Sequence, residues 1–448
     1  MKYQIVNAQI VNEGRSFQGS VLIDEGFISR VVEDDFCQVE SVPGYKIIDA
    51  CGNYLIPGVI DDQVHFRDPG MPEKADIITE SRAAIAGGVT SFMDMPNTIP
   101  NTLTQKLLEE KYIYAAQNSL ANFSFYMGAS NSNLEEILKT DPKTVCGIKV
   151  FLGASTGNML VDDPKALDGI FKYAKLLVAV HCEDEGIIQE NLAKLKAEFG
   201  EQIPIKNHPK IRSTEACFKS SKFAINLAKR HGTRLHILHL STADEMELFE
   251  NKTALENKKI TSEVCVHHLF FNDTDYDELG TRIKWNPAIK SKKDQEELFK
   301  ALLDNRLDVI ATDHAPHTSE EKNNSYLKAP SGGPLVQHSL NMMLEFVQDK
   351  KMDLEKVVEK MCHAPARCFQ VEKRGYIKEG YFADLAIVNM NSPWVVGKEN
   401  LHYKCGWSPL EGKTLRSKIT HTFVNGNLVF ENDKFDEIKK GKRLSFNR

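Results

Sequence analysis

The 448-residue chain has no apolar run near the ~18 residues that a membrane helix needs. Residues 1–7, Met-Lys-Tyr-Gln-Ile-Val-Asn, lack the apolar stretch of a signal peptide, so a cytoplasmic protein is expected. Cysteine is sparse and scattered: nine residues, none in a Cys-x-x-Cys pair, which reads as free thiols in a reducing compartment. There is no internal repeat and no low-complexity segment. One basic block stands out, Lys439-Lys440-Gly441-Lys442-Arg443, and it reads as a solvated tail. With a net charge of −6, nucleic-acid binding has no electrostatic support, and a small-molecule substrate is the better expectation.

What is present is ordinary globular material, 42% hydrophobic and 26% charged, which excludes disorder, coiled coil and mini-protein. Residues 3–11, 20–24, 27–32 and 46–49 alternate as short strands, with Glu25-Gly26 and Pro43-Gly44 as turns. From Pro57 the rhythm changes. Strand-like runs at 59–66, 90–95, 123–128, 147–152, 177–181, 234–240, 261–267 and 308–313 are separated by helical patterns. The helices fall at 77–86, 103–116, 134–138, 164–173, 215–230, 243–255 and 293–303. Eight such units are what a TIM (β/α)8 barrel requires. Strand-like runs return at 383–388 and 422–430, the latter around the hairpin turn Val424-Asn425-Gly426-Asn427. The expected class is therefore α/β: a barrel over 57–370 and a small β-sandwich domain built from both chain ends, 1–56 and 371–448.

Catalytic groups in a barrel lie at the C-terminal ends of its strands. Gln63, His65 and Arg67 share parity at the end of the first. Lys149 lies inside the apolar fourth, where a bare ammonium is costly. His181 ends the fifth, His239 the sixth and Asp313 the eighth. Any one of these has a bland reading as a core histidine, a snorkelling lysine or a cap. Their coincidence at one end of separate strands favours zinc or a similar divalent ion. A neutral lysine that captures carbon dioxide becomes a carbamate with two oxygens, able to bridge two metals. His267-His268, His208, Arg212, Cys182 and Cys265 read more simply as structural residues.

At these positions the chain resembles the amidohydrolase superfamily and, within it, the dihydroorotases. The resemblance is carried by Gly58-Val59-Ile60-Asp61, His65-Phe66-Arg67-Asp68-Pro69-Gly70 and Thr90 to Thr98. It continues through Lys149, His181-Cys182-Glu183-Asp184, His239-Leu240-Ser241-Thr242, Asn286-Pro287, Asp313-His314-Ala315-Pro316-His317 and Gly380 to Leu385. It implies reversible closure of N-carbamoyl-L-aspartate to L-dihydroorotate in pyrimidine synthesis, with one or two zinc ions. It implies that His65, His181 and His239 are ligands, Lys149 the N6-carboxylated bridge, and Asp313 a ligand and proton carrier. Arg67 and Asn97 would grip the substrate carboxylate, Asn286 and His317 would complete the pocket, and the chain would form a homodimer.

Three positions depart from that pattern. Gln63 stands where the family has histidine, Asp162-Asp163 offer an alternative carboxylate bridge, and Lys290 follows Asn286-Pro287-Ala288-Ile289 where arginine is usual. The alternatives are another cyclic amidohydrolase, allantoinase or hydantoinase, and a non-catalytic scaffold for aspartate transcarbamoylase.

Overall fold

A computed structural model describes residues 1–33, 42–153 and 159–448. The eight barrel strands are Val59–Val64, Val89–Asp94, Asn122–Phe125 continued by Met127–Gly128, Ile148–Phe151, Val178–His181, Leu235–Ile237, Ile260–Cys265 and Val309–Ala311. Every neighbouring pair is parallel. The ring closes where His65 N–H donates to His314 O at 2.7 Å. The strands are apolar on both faces because both are covered. Ile148, Val150, Val178 and Val180 pack outward against helix residues such as Ile170 and Ile225. Ile60, Met93, Tyr126, Cys146, Leu177, Ala179 and Leu238 fill the interior.

The helices begin where short polar residues can cap them. Asp76 caps Ile77–Ala86, Asp163 caps Pro164–Tyr173, Ser213 caps Thr214–His231, and Ser291 with Asp294 forms a capping box on Lys292–Leu303. The helix expected at 243–255 is absent. Two 3-10 turns, Asp244–Leu248 and Leu255–Asn257, replace it. Glu250 accepts the backbone N–H groups of Lys252 and Thr253, which takes the chain out of a helical path. The seventh strand likewise stops at Cys265, and His267-His268 lie in a short helix, Val266–Phe270.

Beside the barrel lies a sheet made from both chain ends. Tyr54–Pro57 joins its halves, pairing parallel with Tyr3–Asn12 and antiparallel with Leu385–Asn389. Its core is Ile5, Ile10, Val21, Ile23, Leu55, Leu385, Ile387 and Phe423. Asn425 and Gly426 both take positive φ, 49° and 73°, as the hairpin turn requires. The molecule is thus a TIM-type α/β barrel with a small β-sandwich domain. Among the described residues no helix is long and apolar enough to cross a membrane.

The basic segment is not a free tail. Gly441 N–H donates to Ser119 O, Leu444 N–H to Phe123 O and Phe446 N–H to Lys143 O. Leu444 and Phe446 are buried in the barrel's interior cluster. Arg448 donates to Val145 O, Cys146 O and Phe369 O. Lys439 and Lys442 remain exposed, so the charges stay in water while alternate apolar side chains close the barrel floor. Phe446→Ala should therefore cost about 3 kcal/mol or more. Calorimetry checks this as a lower melting temperature, and an unchanged one would mean that the segment adds nothing to the core.

Candidate metal centre

The first strand carries a bulge: Asp61 pairs with Phe92 but Val64 with Asp94, so one extra residue is inserted. The bulge turns Asp62, Gln63 and His65 all toward the barrel axis, which simple alternation would forbid. His65 Nδ1–H donates to Asn97 Oδ1 at 2.8 Å, leaving Nε2 as a lone pair 3.0 Å from Asp313 Oδ1. Gln63 donates its amide N–H to the same oxygen at 3.2 Å. Across the mouth, His181 Nδ1 lies 3.0 Å from His239 Nε2. The expected residues thus gather as two pairs at the same ends of their strands.

Backbone geometry supports the placement. Arg67, His239 and Asp313 all lie in the left-handed region, with φ of 65°, 39° and 46°. Non-glycine residues enter that region at an energetic cost. Three such residues at three strand ends turn their side chains over the mouth.

The imidazoles are in the state that ligates a metal. Burial, with only partial compensation from Asp313, lowers His65 from its ordinary value. Burial also lowers His181 and, further, His239. A neutral imidazole lone pair facing a carboxylate is an unfavourable pair of acceptors unless a cation lies between them, so the donor set fits a divalent ion.

Lys149 is 1% exposed in the fourth strand. Burial drives its pKa down to about 7, against the pull of Asp313 and Glu263. Asp162 is exposed and accepts from Asn131 Nδ2 at 2.8 Å, while Asp163 caps its helix. Lys290 is buried and donates to Ala288 O at 3.1 Å, with Ser241 Oγ at 3.4 Å.

Arg67 is buried, not part of a surface ion pair. Its Nε–H donates to Pro316 O at 3.0 Å and its Nη2 lies 3.0 Å from His317 Nε2. Burial lowers it only to about 10, so it is charged at neutral pH. Burial and the Arg67 charge hold His317 near 3, hence neutral. Trp407, from the far end of the chain, donates its indole N–H to His317 O at 2.8 Å. Asn286 Oδ1 accepts from the Ser331 hydroxyl at 2.9 Å.

Two supporting residues escaped the sequence reading. Glu183 Oε2 lies 3.1 Å from His181 Nε2, and Arg212 pairs with that same oxygen. Burial raises Glu183, but Arg212 and His181 outweigh it and hold the carboxyl at about 2. The available signal was an acid two residues after a strand-end histidine. Its partner stands on another element 29 residues away, which spacing cannot reveal. Cys265 is likewise more than filler: its thiol donates to Glu263 Oε1 at 3.4 Å and approaches Gln63 Oε1 at 3.8 Å.

A family model described as the amidohydrolase family matches residues 54–429, and the chain belongs to that family. The dihydroorotase of Methanosphaera stadtmanae is 32% identical over 420 residues, covering 92% of this chain and 94% of that protein. The dihydroorotase of Pyrococcus furiosus is 30% identical, covering 98% and 95%. Within the family the chain thus falls with the dihydroorotases. An allantoinase of Desulfitobacterium hafniense is also 30% identical, covering 98% of this chain and 97% of that protein. Among solved structures, an L-hydantoinase (dihydropyrimidinase) from Arthrobacter aurescens superposes with a TM-score of 0.92 at 26% identity, covering 99% of each chain.

Proposed function

We propose that the protein is a dihydroorotase that opens and closes the ring between L-dihydroorotate and N-carbamoyl-L-aspartate, as a step of pyrimidine synthesis. The observation that carries this reading is the buried, charged Arg67 fork beside the His65–Asp313 pair. It suits a cyclic amide that bears a free carboxylate, which hydantoin lacks. The dihydroorotase relatives point the same way.

His65, His181, His239 and Asp313 would hold zinc, one ion or two, together with Lys149 carboxylated on its amine. The bound metal supplies polarisation of the amide carbonyl and acidification of water. Asp313 takes the proton from the attacking water and delivers it to the ring nitrogen as the C–N bond breaks. In ring closure the same carboxylate carries the proton back. Asn97 sets the His65 tautomer through Nδ1, and with Arg67, His317 and Asn286 it forms the substrate side of the pocket. Glu183, clamped by Arg212, faces His181 Nε2 and leaves Nδ1 as the atom that would reach the ion. Gln63 supplies a weaker donor than imidazole. The same reading divides the chain near residues 56 and 370, with a cytoplasmic homodimer.

The test is ring opening of dihydroorotate, allantoin and hydantoin after supply of zinc and bicarbonate. Turnover of dihydroorotate is expected. Activity on allantoin or hydantoin alone would overturn the assignment, and no turnover with no bound metal would favour the transcarbamoylase scaffold. Arg212→Ala should weaken metal binding by about 10–100-fold, as loss of a ligand's support does. Competition with a chromogenic chelator measures it, and wild-type affinity would remove Arg212 from that role.

A further inference from the structure

One layer below the mouth, the barrel interior holds a second group of donors that the proposed reaction does not use. Asp62 comes from the bulge of the first strand, His236 from the sixth and Glu263 from the seventh. All three side chains are fully buried. His236 Nε2 lies 3.2 Å from Asp62 Oδ2 and 3.5 Å from Glu263 Oε2, and the three donor atoms lie within 4.8 Å of one another. Neither Asp62 oxygen, nor His236 Nε2, nor Glu263 Oε2 has a hydrogen-bond partner. The atoms converge on a point between them without the geometry of bonds to each other.

The histidine is set up for that point. Thr261 places its hydroxyl to donate to Leu235 O at 3.3 Å, so its oxygen accepts from His236 Nδ1–H at 2.8 Å. That turns Nε2 toward two carboxylates, which together pull the imidazole toward its protonated form whenever no metal ion takes the proton's place. Around them the interior is apolar, with Phe369 edge-on to the imidazole at 5.3 Å between centroids. Two ionised carboxylates in such a place are strongly unfavourable unless protons or a metal ion compensate them. The spacing fits a small one, because donors about 2.0–2.1 Å from a tetrahedral ion lie about 3.3 Å apart.

We propose that Asp62, His236 and Glu263 form a structural site for one divalent transition-metal ion of the zinc type, separate from the catalytic mouth. One nitrogen and two carboxylate oxygens suit such an ion. Deep burial makes it an ion taken up as the barrel folds and released slowly. Glu263 uses its other oxygen to accept the His239 N–H at 3.0 Å, so the site also braces the left-handed kink at His239. The proposal does not depend on which cyclic amide the protein opens.

The experiment is crystallographic. Protein expressed with zinc and never exposed to chelator is crystallised, and an anomalous difference map is taken at the zinc edge. A peak among Asp62, His236 and Glu263 is expected, distinct from any peak at His65 or His181. In solution, dipicolinate dialysis should strip the mouth and leave about one zinc per chain in the wild type. Asp62→Asn should fall below about 0.1 per chain with its circular dichroism unchanged. A map with no peak in the deep pocket means that a proton alone balances the carboxylates, and it overturns the proposal whether or not Asp62→Asn folds. Failure of the catalytic reading would show instead in the mouth peaks and the dihydroorotate assay.

Discussion

Lys149→Ala should abolish ring opening. The lysine lies in the barrel interior, and burial lowers its pKa to about 7, so the unprotonated amine is within reach at neutral pH. Only that form adds carbon dioxide. Under the proposed reading the carbamate would supply the anionic oxygens with which Lys149 helps to hold the metal. Alanine removes them and leaves a space the length of the lysine chain. Metal polarisation of a carbonyl is worth several kcal/mol, so the rate should fall by about 10³ or more. Short carboxylic acids should fill the space and restore part of the activity in a saturable way. Near-normal turnover of the variant would falsify that role. The protonation sign adds a second check: reactivation of bicarbonate-depleted protein should slow as pH falls below about 7, because the ammonium form cannot react.

Asp313→Asn is expected to lose nearly as much. Asparagine keeps the shape and tolerates the left-handed φ of 46° at this position, so the strand-end kink should survive. Its carbonyl can still accept from Gln63 Nε2, which now reaches Asp313 Oδ1 at 3.2 Å. What disappears is a carboxylate able to take and return a proton. General acid–base catalysis contributes about 10²–10⁴, so kcat should drop by that factor while KM changes little and metal is partly retained. A kcat equal to wild type would show that another group carries the proton.

The barrel could be read from the sequence because a buried parallel strand is a short apolar run between helical patterns. Each of the eight expected runs overlaps an observed strand. The strand-end histidines and Asp313 could be singled out for a similar reason, as polar residues that interrupt apolar runs. The bulge at Asp61–Val64 could not, because an inserted residue leaves no mark in a pattern of period two. Alternation sends Asp62 away from Gln63, yet both turn inward. The positive φ values of Arg67, His239 and Asp313 are equally silent, since Asp and His are enriched in that region but still uncommon there, and Arg is not enriched. The helix expected at 243–255 failed because Glu250 bonds its own backbone neighbours, a local competition that periodicity does not register. The docked basic segment was misread because its Lys and Arg side chains dominate the composition while Leu444 and Phe446 decide the packing.

The pairing of residues 442–444 with Phe123 of the third barrel strand spans about 320 positions of chain, and Tyr54–Pro57 waits for Leu385–Asn389 in the same way. A growing polypeptide can close the barrel ring once His314 has emerged, but the barrel floor and the end-to-end sheet wait for nearly all of these 448 residues. Until then its early strands carry unpaired edges and uncovered greasy surface, the state most open to aggregation and proteolysis. Productive synthesis of this protein should consequently lean on holding factors that shield nascent chains. Fragments ending before about residue 440 should be cleared rather than accumulate.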